Sequence, residues 1–199
     1  MKKRSILLGL AIALVLPVLA QIEEIPIQRH EISIGYGNQP VTGYQWRWNS
    51  SWYYYQTTDK VGAFIGTYTY RINGELGIGL TYCYDPRRLG YFTDKEHQND
   101  VCELDESSHT VMIHVKSNWL NRKWFSLYSK AAVGGAFWKY KLFEYHSDMY
   151  EIKLPEQTSC FAYQLVPIGI EVGNERLAGF FQCGLGMEGL LSAGIRFRY

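Results

Sequence analysis

Beyond its first twenty residues the sequence has no apolar run approaching the length of a membrane-crossing helix, which takes about 20 residues, and no long helix-forming stretch. Cysteine is scarce. Cys83, Cys102, Cys160 and Cys183 match neither a C-x-x-C pair nor a zinc-ligand spacing. The five histidines, His30, His97, His109, His114 and His146, form no H-E-x-x-H or other compact ligand set, so no metal or cofactor is expected. Charge is close to balanced, with 20 Lys+Arg against 19 Asp+Glu, and nothing points to a nucleic-acid partner.

What the chain does contain is 16 Tyr, 9 Phe, 6 Trp and 19 Gly, and a first segment of distinct character. Lys2, Lys3 and Arg4 precede an apolar stretch from Ile6 to Leu16, then Pro17, and Val18 and Ala20 supply small residues at signal-peptidase spacing. Residues 1–20 therefore read as a cleavable export signal and residues 21–199 as one mature domain. An exported, aromatic-rich and Gly-rich chain without helices points to an all-β architecture.

Period-two alternation supplies the strands. At the C-terminus Leu191, Ala193, Ile195, Phe197 and Tyr199 share one face, against Ser192, Gly194, Arg196 and Arg198. Leu76, Ile78, Leu80, Tyr82 and Tyr84 stand opposite Glu75, Gly77, Gly79, Thr81 and Cys83; Ile32, Ile34 and Tyr36 stand opposite Glu31, Ser33 and Gly35. Segments 108–118, 124–137, 161–172 and 176–186 alternate similarly, with Val166, Ile168, Ile170 and Val172 assigned to one face and Glu171 to the other. An Asn174-Glu175 turn would set Val172 opposite Leu177. A two-residue Asn73-Gly74 turn would leave Tyr68 and Tyr70 on the polar face, unless a glycine bulge shifts the register.

Connections alternate between long links (38–59, 86–107 and 138–159) and short ones (73–74, 119–123 and 173–175), while the last hairpin, around Glu188-Gly189, is short on the long side. With the signal, the opening Glu31-Ile-Ser-Ile-Gly-Tyr-Gly37 and the closing Ala193-Gly-Ile-Arg-Phe-Arg-Tyr199, this pattern resembles the small eight-stranded outer-membrane barrels, the class of OmpX and the OmpA membrane domain. The resemblance implies an eight-stranded antiparallel up-and-down transmembrane β-barrel, porin-like in class, with the short turns periplasmic. It also implies a terminal insertion signal at Ile195, Phe197 and Tyr199 for the barrel-insertion machinery, and outer-membrane lipid as surroundings.

The polar face holds Glu31, Glu75, Lys116, Lys130, Glu171, Arg196 and Arg198, a set that a soluble lipocalin-like barrel with a greasy interior would not tolerate unpaired. In a narrow lumen these charges are expected to pair and plug the barrel, with Glu31 meeting Arg196 or Arg198. Trp46, Trp48, Trp52 and Tyr54 in the first long link are either an interfacial girdle or a recognition surface for an extracellular ligand. Cys102 and Cys160 fall in or beside long links and form the candidate disulfide. Gly184-Leu-Gly-Met-Glu-Gly189 matches G-x-G-x-x-G but alternates as a strand, so it carries no dinucleotide site; His146-Ser147-Asp148 lies in a loop without fixed geometry. No catalytic residue is assigned. The expected role is structural or surface-interacting; a narrow small-solute channel, a lipid-modifying enzyme and a lipocalin-like binder are the alternatives.

Overall fold

The alternating segments form nine β-segments in the computed structural model, which describes residues 28–38, 40, 54–60, 62–92, 100–145 and 159–199. They are β1 (His30–Asn38), β2 (Tyr54–Lys60), β3 (Ala63–Arg71), β4 (Leu76–Phe92), β5 (Asp100–Asn121), β6 (Phe125–Tyr145), β7 (Ser159–Gly173), β8 (Leu177–Gly186) and β9 (Leu191–Arg198). Among the described residues there is no helix. The 1–20 segment, Trp46, Trp48, Trp52 and His146-Ser147-Asp148 lie outside the described residues, and Tyr54 enters only as the first residue of β2.

From β3 to β9 neighbouring segments pair antiparallel in chain order, and β1 pairs with both β3 and β9, so the sheet closes on itself. β2 and β3 both lie along β4, opposite its residues 87–92 and 77–84, and act as two halves of one stave. The result is a closed eight-stave barrel. Closure leaves no edge to expose unpaired backbone groups in lipid.

The pleat sorts the residues. Ile34, Leu80, Ile113, Val133, Leu165 and Ile195 are among the large apolar side chains pointing outward, each more than half exposed, while Glu31, Lys116, Glu171, Arg196 and Arg198 point inward and are buried. A soluble protein does not present a continuous apolar wall of this size. In a bilayer the same wall is the favourable surface. The lipocalin-like alternative, which needs the apolar face inside, is thereby inverted. Aromatic rings collect at the rims. At the short-turn end His30 stacks on Tyr199 with centroids 5.2 Å apart and meets Tyr70 edge-on at 5.6 Å. Higher up, Tyr36 and Phe64 pack edge to face.

Asparagine side chains cap two hairpins, which decides the register left open at Asn73-Gly74 and slides the turn expected at Asn174-Glu175. Asn73 Oδ1 accepts from the amides of Glu75 (2.9 Å) and Leu76 (2.6 Å), and Ile72 N–H bonds to Leu76 O, which gives a three-residue link. Arg71 therefore lies opposite Gly77, not Leu76, and this odd shift turns Tyr68 and Tyr70 outward. Asn174 Oδ1 accepts in the same way from Arg176 and Leu177, so the two-residue turn is Glu175-Arg176 and Val172 faces Gly179. That even shift preserves the faces.

A further difference lies in β7. Ser129 opposes both Pro167 and Ile168, a bulge that lets Pro167 sit in a strand without an amide to donate, and Ser129 Oγ donates to Pro167 O at 2.6 Å. Val166 consequently points into the lumen, fully buried, instead of sharing the outward face of Ile168 and Ile170. Strand also extends into the links expected at 86–107 and 138–159, over residues 86–92, 100–107 and 138–145, because β4, β5 and β6 run on to 17, 22 and 21 residues.

Ile113 sits mid-wall, flanked by exposed Val111 and Val115. Ile113→Arg is expected to lower folding stability in phosphatidylcholine vesicles by about 2–4 kcal/mol, read from urea unfolding. Lys141→Ala, above the wall, should change it by less than about 0.5 kcal/mol. Equal effects at the two positions would contradict the placement of the wall in lipid.

Candidate functional site

The lumen is filled in layers. Nearest the short turns lies an ionic layer from β1, β5, β7 and β9. Lys116 Nζ is 2.5 Å from Glu31 Oε1 and 2.5 Å from Glu171 Oε1, and it lies 4.5 Å above the Tyr128 ring. Arg198 bridges the same two carboxylates, with Nε 2.6 Å from Glu31 Oε2 and Nη2 2.7 Å from Glu171 Oε2. Arg196 Nη2 reaches Glu171 Oε2 at 3.1 Å, and Ser126 Oγ donates to the same oxygen at 3.0 Å. Charges removed from water in this way are held only if each finds opposite charge and hydrogen bonds.

Above it lies a neutral layer. His114 is buried with both ring nitrogens hydrogen-bonded at 2.9 Å, to the hydroxyls of Thr69 and Thr81. Tyr128 lies across Gly169, where a Cβ would stand 2.3 Å from the ring, and donates its hydroxyl to Gln182 Oε1 at 2.8 Å.

A second ion pair follows. The β8–β9 turn folds into the lumen and carries Glu188, fully buried, whose Oε2 accepts from Lys130 Nζ and Gln182 Nε2, both at 2.6 Å. Gln164 Oε1 accepts from the Glu188 amide at 2.8 Å. Gly189 makes the inward fold possible, since its φ of +96° suits glycine and a Cβ would lie 2.1 Å from Asn38 O. Met187 from the same turn joins Ile65, Cys83, Met112 and Trp138 in an apolar layer above.

Of the residues assigned from sequence, Glu31, Lys116, Glu171, Arg196 and Arg198 meet in one cluster, and Lys130 pairs separately. Glu75 does not belong there: the three-residue turn leaves it exposed, and Arg71 occupies the inward position, donating Nη2 to Gly74 O at 2.8 Å. The Cys102–Cys160 bridge is not formed. Cys102 lies opposite Tyr145 and Cys160, a free thiol, opposite Ala136. That span of β6 is ~30 Å at about 3.3 Å per residue, whereas bridged Cα atoms lie within about 7 Å. Ile195, Phe197 and Tyr199 point outward, and Tyr199 pairs with His30 through backbone bonds of 3.0 and 3.2 Å at the closing seam.

Sequence reasoning missed Glu188 and Arg71. The signal for Glu188 was indirect: Lys130 had no anion assigned to it, and glycines flank a short turn that holds a carboxylate. For the exchange of Arg71 and Glu75 the signal was Tyr68 and Tyr70, which only an odd register shift brings outward. Among the described residues His114 is inward and Ser117 outward, so the two do not share a site.

At the opposite end β4, β5 and β6 continue past the apolar wall. Along the outward face of β5, Val115, Ile113 and Val111 give way to His109, Ser107 and Asp105; on β6, Val133 and Phe137 give way to Lys139 and Lys141. Cross-strand charge supports this part, with Arg88 Nε 3.1 Å from Asp105 Oδ1 and Asp105 opposite Lys141. Beyond Phe137, β6 pairs only with β5 among the described residues, and β2 only with β4.

No protein-family model matches the sequence, and no curated protein matches it. Among solved structures the chain is similar to Ail, the attachment invasion locus protein of Yersinia pestis, at 15% identity and a TM-score of 0.44, over 86% of this chain and 100% of that one. A second structure of that protein, in complex with the heparin analogue sucrose octasulfate, gives 16% identity and a TM-score of 0.46 over the same shares.

Glu171→Gln deprives Lys116, Arg196 and Arg198 of a shared anion and is expected to destabilise the refolded barrel by about 3–5 kcal/mol, measured by urea unfolding. Single-channel current across planar bilayers should remain at the wild-type baseline, because the Lys130–Glu188 pair and the apolar layer still fill the lumen. A new current in this variant would show that the ionic layer alone closes the barrel.

Proposed function

We propose that this protein is an outer-membrane barrel that serves as a rigid mount for surface contact, without enzymatic activity. The carrying observation is that β4, β5 and β6 remain a paired sheet for a further ~23 Å along β5, from His109 to Cys102 at about 3.3 Å per residue, beyond the point where their outward faces turn polar. A sheet that reaches beyond the lipid adds nothing to crossing it, and its β6 margin, which past Phe137 has no second strand partner among the described residues, is the kind of edge that accepts an extended segment of another chain. The filled lumen speaks against the channel reading. On this view the partners are outer-membrane lipid and an extracellular ligand, with Trp46, Trp48, Trp52 and Tyr54 as recognition candidates from the sequence. Residues 1–20 would be the export signal, removed on the way.

Replacing residues 88–104 and 140–158 by two-residue turns tests the proposal. The trimmed barrel is expected to keep its different gel mobility before and after boiling in detergent. Bacteria displaying it should be retained several-fold less than those displaying the full chain on at least one of a panel of protein- and glycan-coated surfaces. Equal retention on every surface would sink the proposal. For the insertion signal, Phe197→Ala with Tyr199→Ala should lower the fraction of outer-membrane protein that shows the mobility difference, and an unchanged fraction would remove these residues from that role.

A further inference from the structure

We propose that the short-turn mouth of the barrel is a binding pocket for a phosphate group, held by Arg71, Arg196 and Arg198. These three arginines line one open pocket together with Ser126, Lys123 and the Glu171 carboxylate, to which Arg196 and Arg198 are already paired. The ionic layer behind it is not neutral. Four buried cations, Arg71, Lys116, Arg196 and Arg198, face two buried carboxylates, Glu31 and Glu171. Lys116 and Arg198 consume most of that negative charge, since each touches both carboxylates. Arg196 keeps a single carboxylate contact and otherwise donates to the backbone carbonyl of Glu175. Among the described residues Arg71 has no carboxylate within ion-pair distance; its side-chain hydrogen bond goes to the carbonyl of Gly74.

Two guanidinium N–H groups are left over. Nε of Arg71 and Nε of Arg196 are both buried and have no hydrogen-bond acceptor among the described residues, although both residues are more than nine-tenths buried. A buried charged donor without an acceptor is costly, and native structures rarely leave one without an occupant such as an ion or water. The rim adds Arg122 and Lys123 against Glu175, so the approach is positive as well. An excess of two buried positive charges matches a phosphate dianion better than a halide, and planar guanidinium donors suit its oxygens. The ligand chemistry is therefore phosphate, either free or as the headgroup of an anionic phospholipid in the leaflet on that side.

The test uses the full mature chain refolded in a maltoside detergent, which contains no phosphate. Inorganic phosphate and phosphatidylglycerol are titrated separately by calorimetry, each against sodium chloride of equal ionic strength, and the urea midpoint is followed in parallel. Saturable binding with a raised midpoint is expected for at least one of the two, because a ligand held only by the folded barrel stabilises it by mass action. Binding of inorganic phosphate assigns the pocket to the free anion; binding of phosphatidylglycerol alone assigns it to the headgroup. Arg71→Gln should weaken binding at least tenfold and Arg71→Lys less. Arg71 stands outside the carboxylate contacts, so both variants are expected to fold; should either fail to, backbone amide shifts of Ser126 and Trp124 in the wild-type barrel on adding ligand give the same readout. No heat, no midpoint change and no amide shift with both ligands, or equal binding by wild type and Arg71→Gln, would overturn the proposal.

Discussion

Every backbone amide and carbonyl in the wall must find a partner within the protein, because the lipid side offers none. The seam between β1 and β9 meets that requirement, running from Glu31 opposite Arg198 to Asn38 opposite Leu191. Much of the remaining design follows from it. Eight staves enclose a lumen only wide enough for side chains, and alternation sends every second residue inward. Small residues such as Ala132, Ala136 and Ala162 share that space with Lys116, Arg196 and Arg198. The charges are thus brought together by the geometry of closure. Their pairing is what makes a closed ring of this size tolerable, and it is also why the interior is a solid of ions, amides and methyl groups.

The faces of most strands were legible because one physical rule governs them. Lipid on one side and a packed polar interior on the other force a strict two-residue repeat, and Ile32 to Tyr36 or Leu191 to Tyr199 carry it without interruption. Errors arose where something local outweighed the repeat. At Asn73 and Asn174 the side-chain oxygen captures two amides and lengthens or slides the turn. An odd shift exchanged Arg71 for Glu75 in the lumen, whereas an even shift was harmless to the faces. At Pro167 the missing amide is absorbed by a bulge, and parity changes within one strand at Val166.

Other features were illegible for a different reason. The ionic layer depends on residues as far apart as Glu31, Lys116 and Glu171, so only the closed ring reveals which cation meets which carboxylate. Candidate partners could be read from the polar face, but the sharing of both glutamates by both Lys116 and Arg198 could not. The extension of β4 to β6 was hidden by its composition. Asp105, Glu106, Lys139 and Lys141 look like loop residues until they are set beside one another, where Lys139 falls opposite Ser107 and Lys141 opposite Asp105.

The inward turn between β8 and β9 has a consequence for how such a barrel can diversify. Among the described residues of the long end, this connection is committed to the lumen, since Glu188 is the counter-ion of Lys130 and Met187 is part of the interior. Any insertion between Gly186 and Leu190 would have to withdraw both from the barrel. Surface variation is therefore turned away from this connection, and a foreign epitope grafted for display belongs beyond the extended β4, β5 and β6.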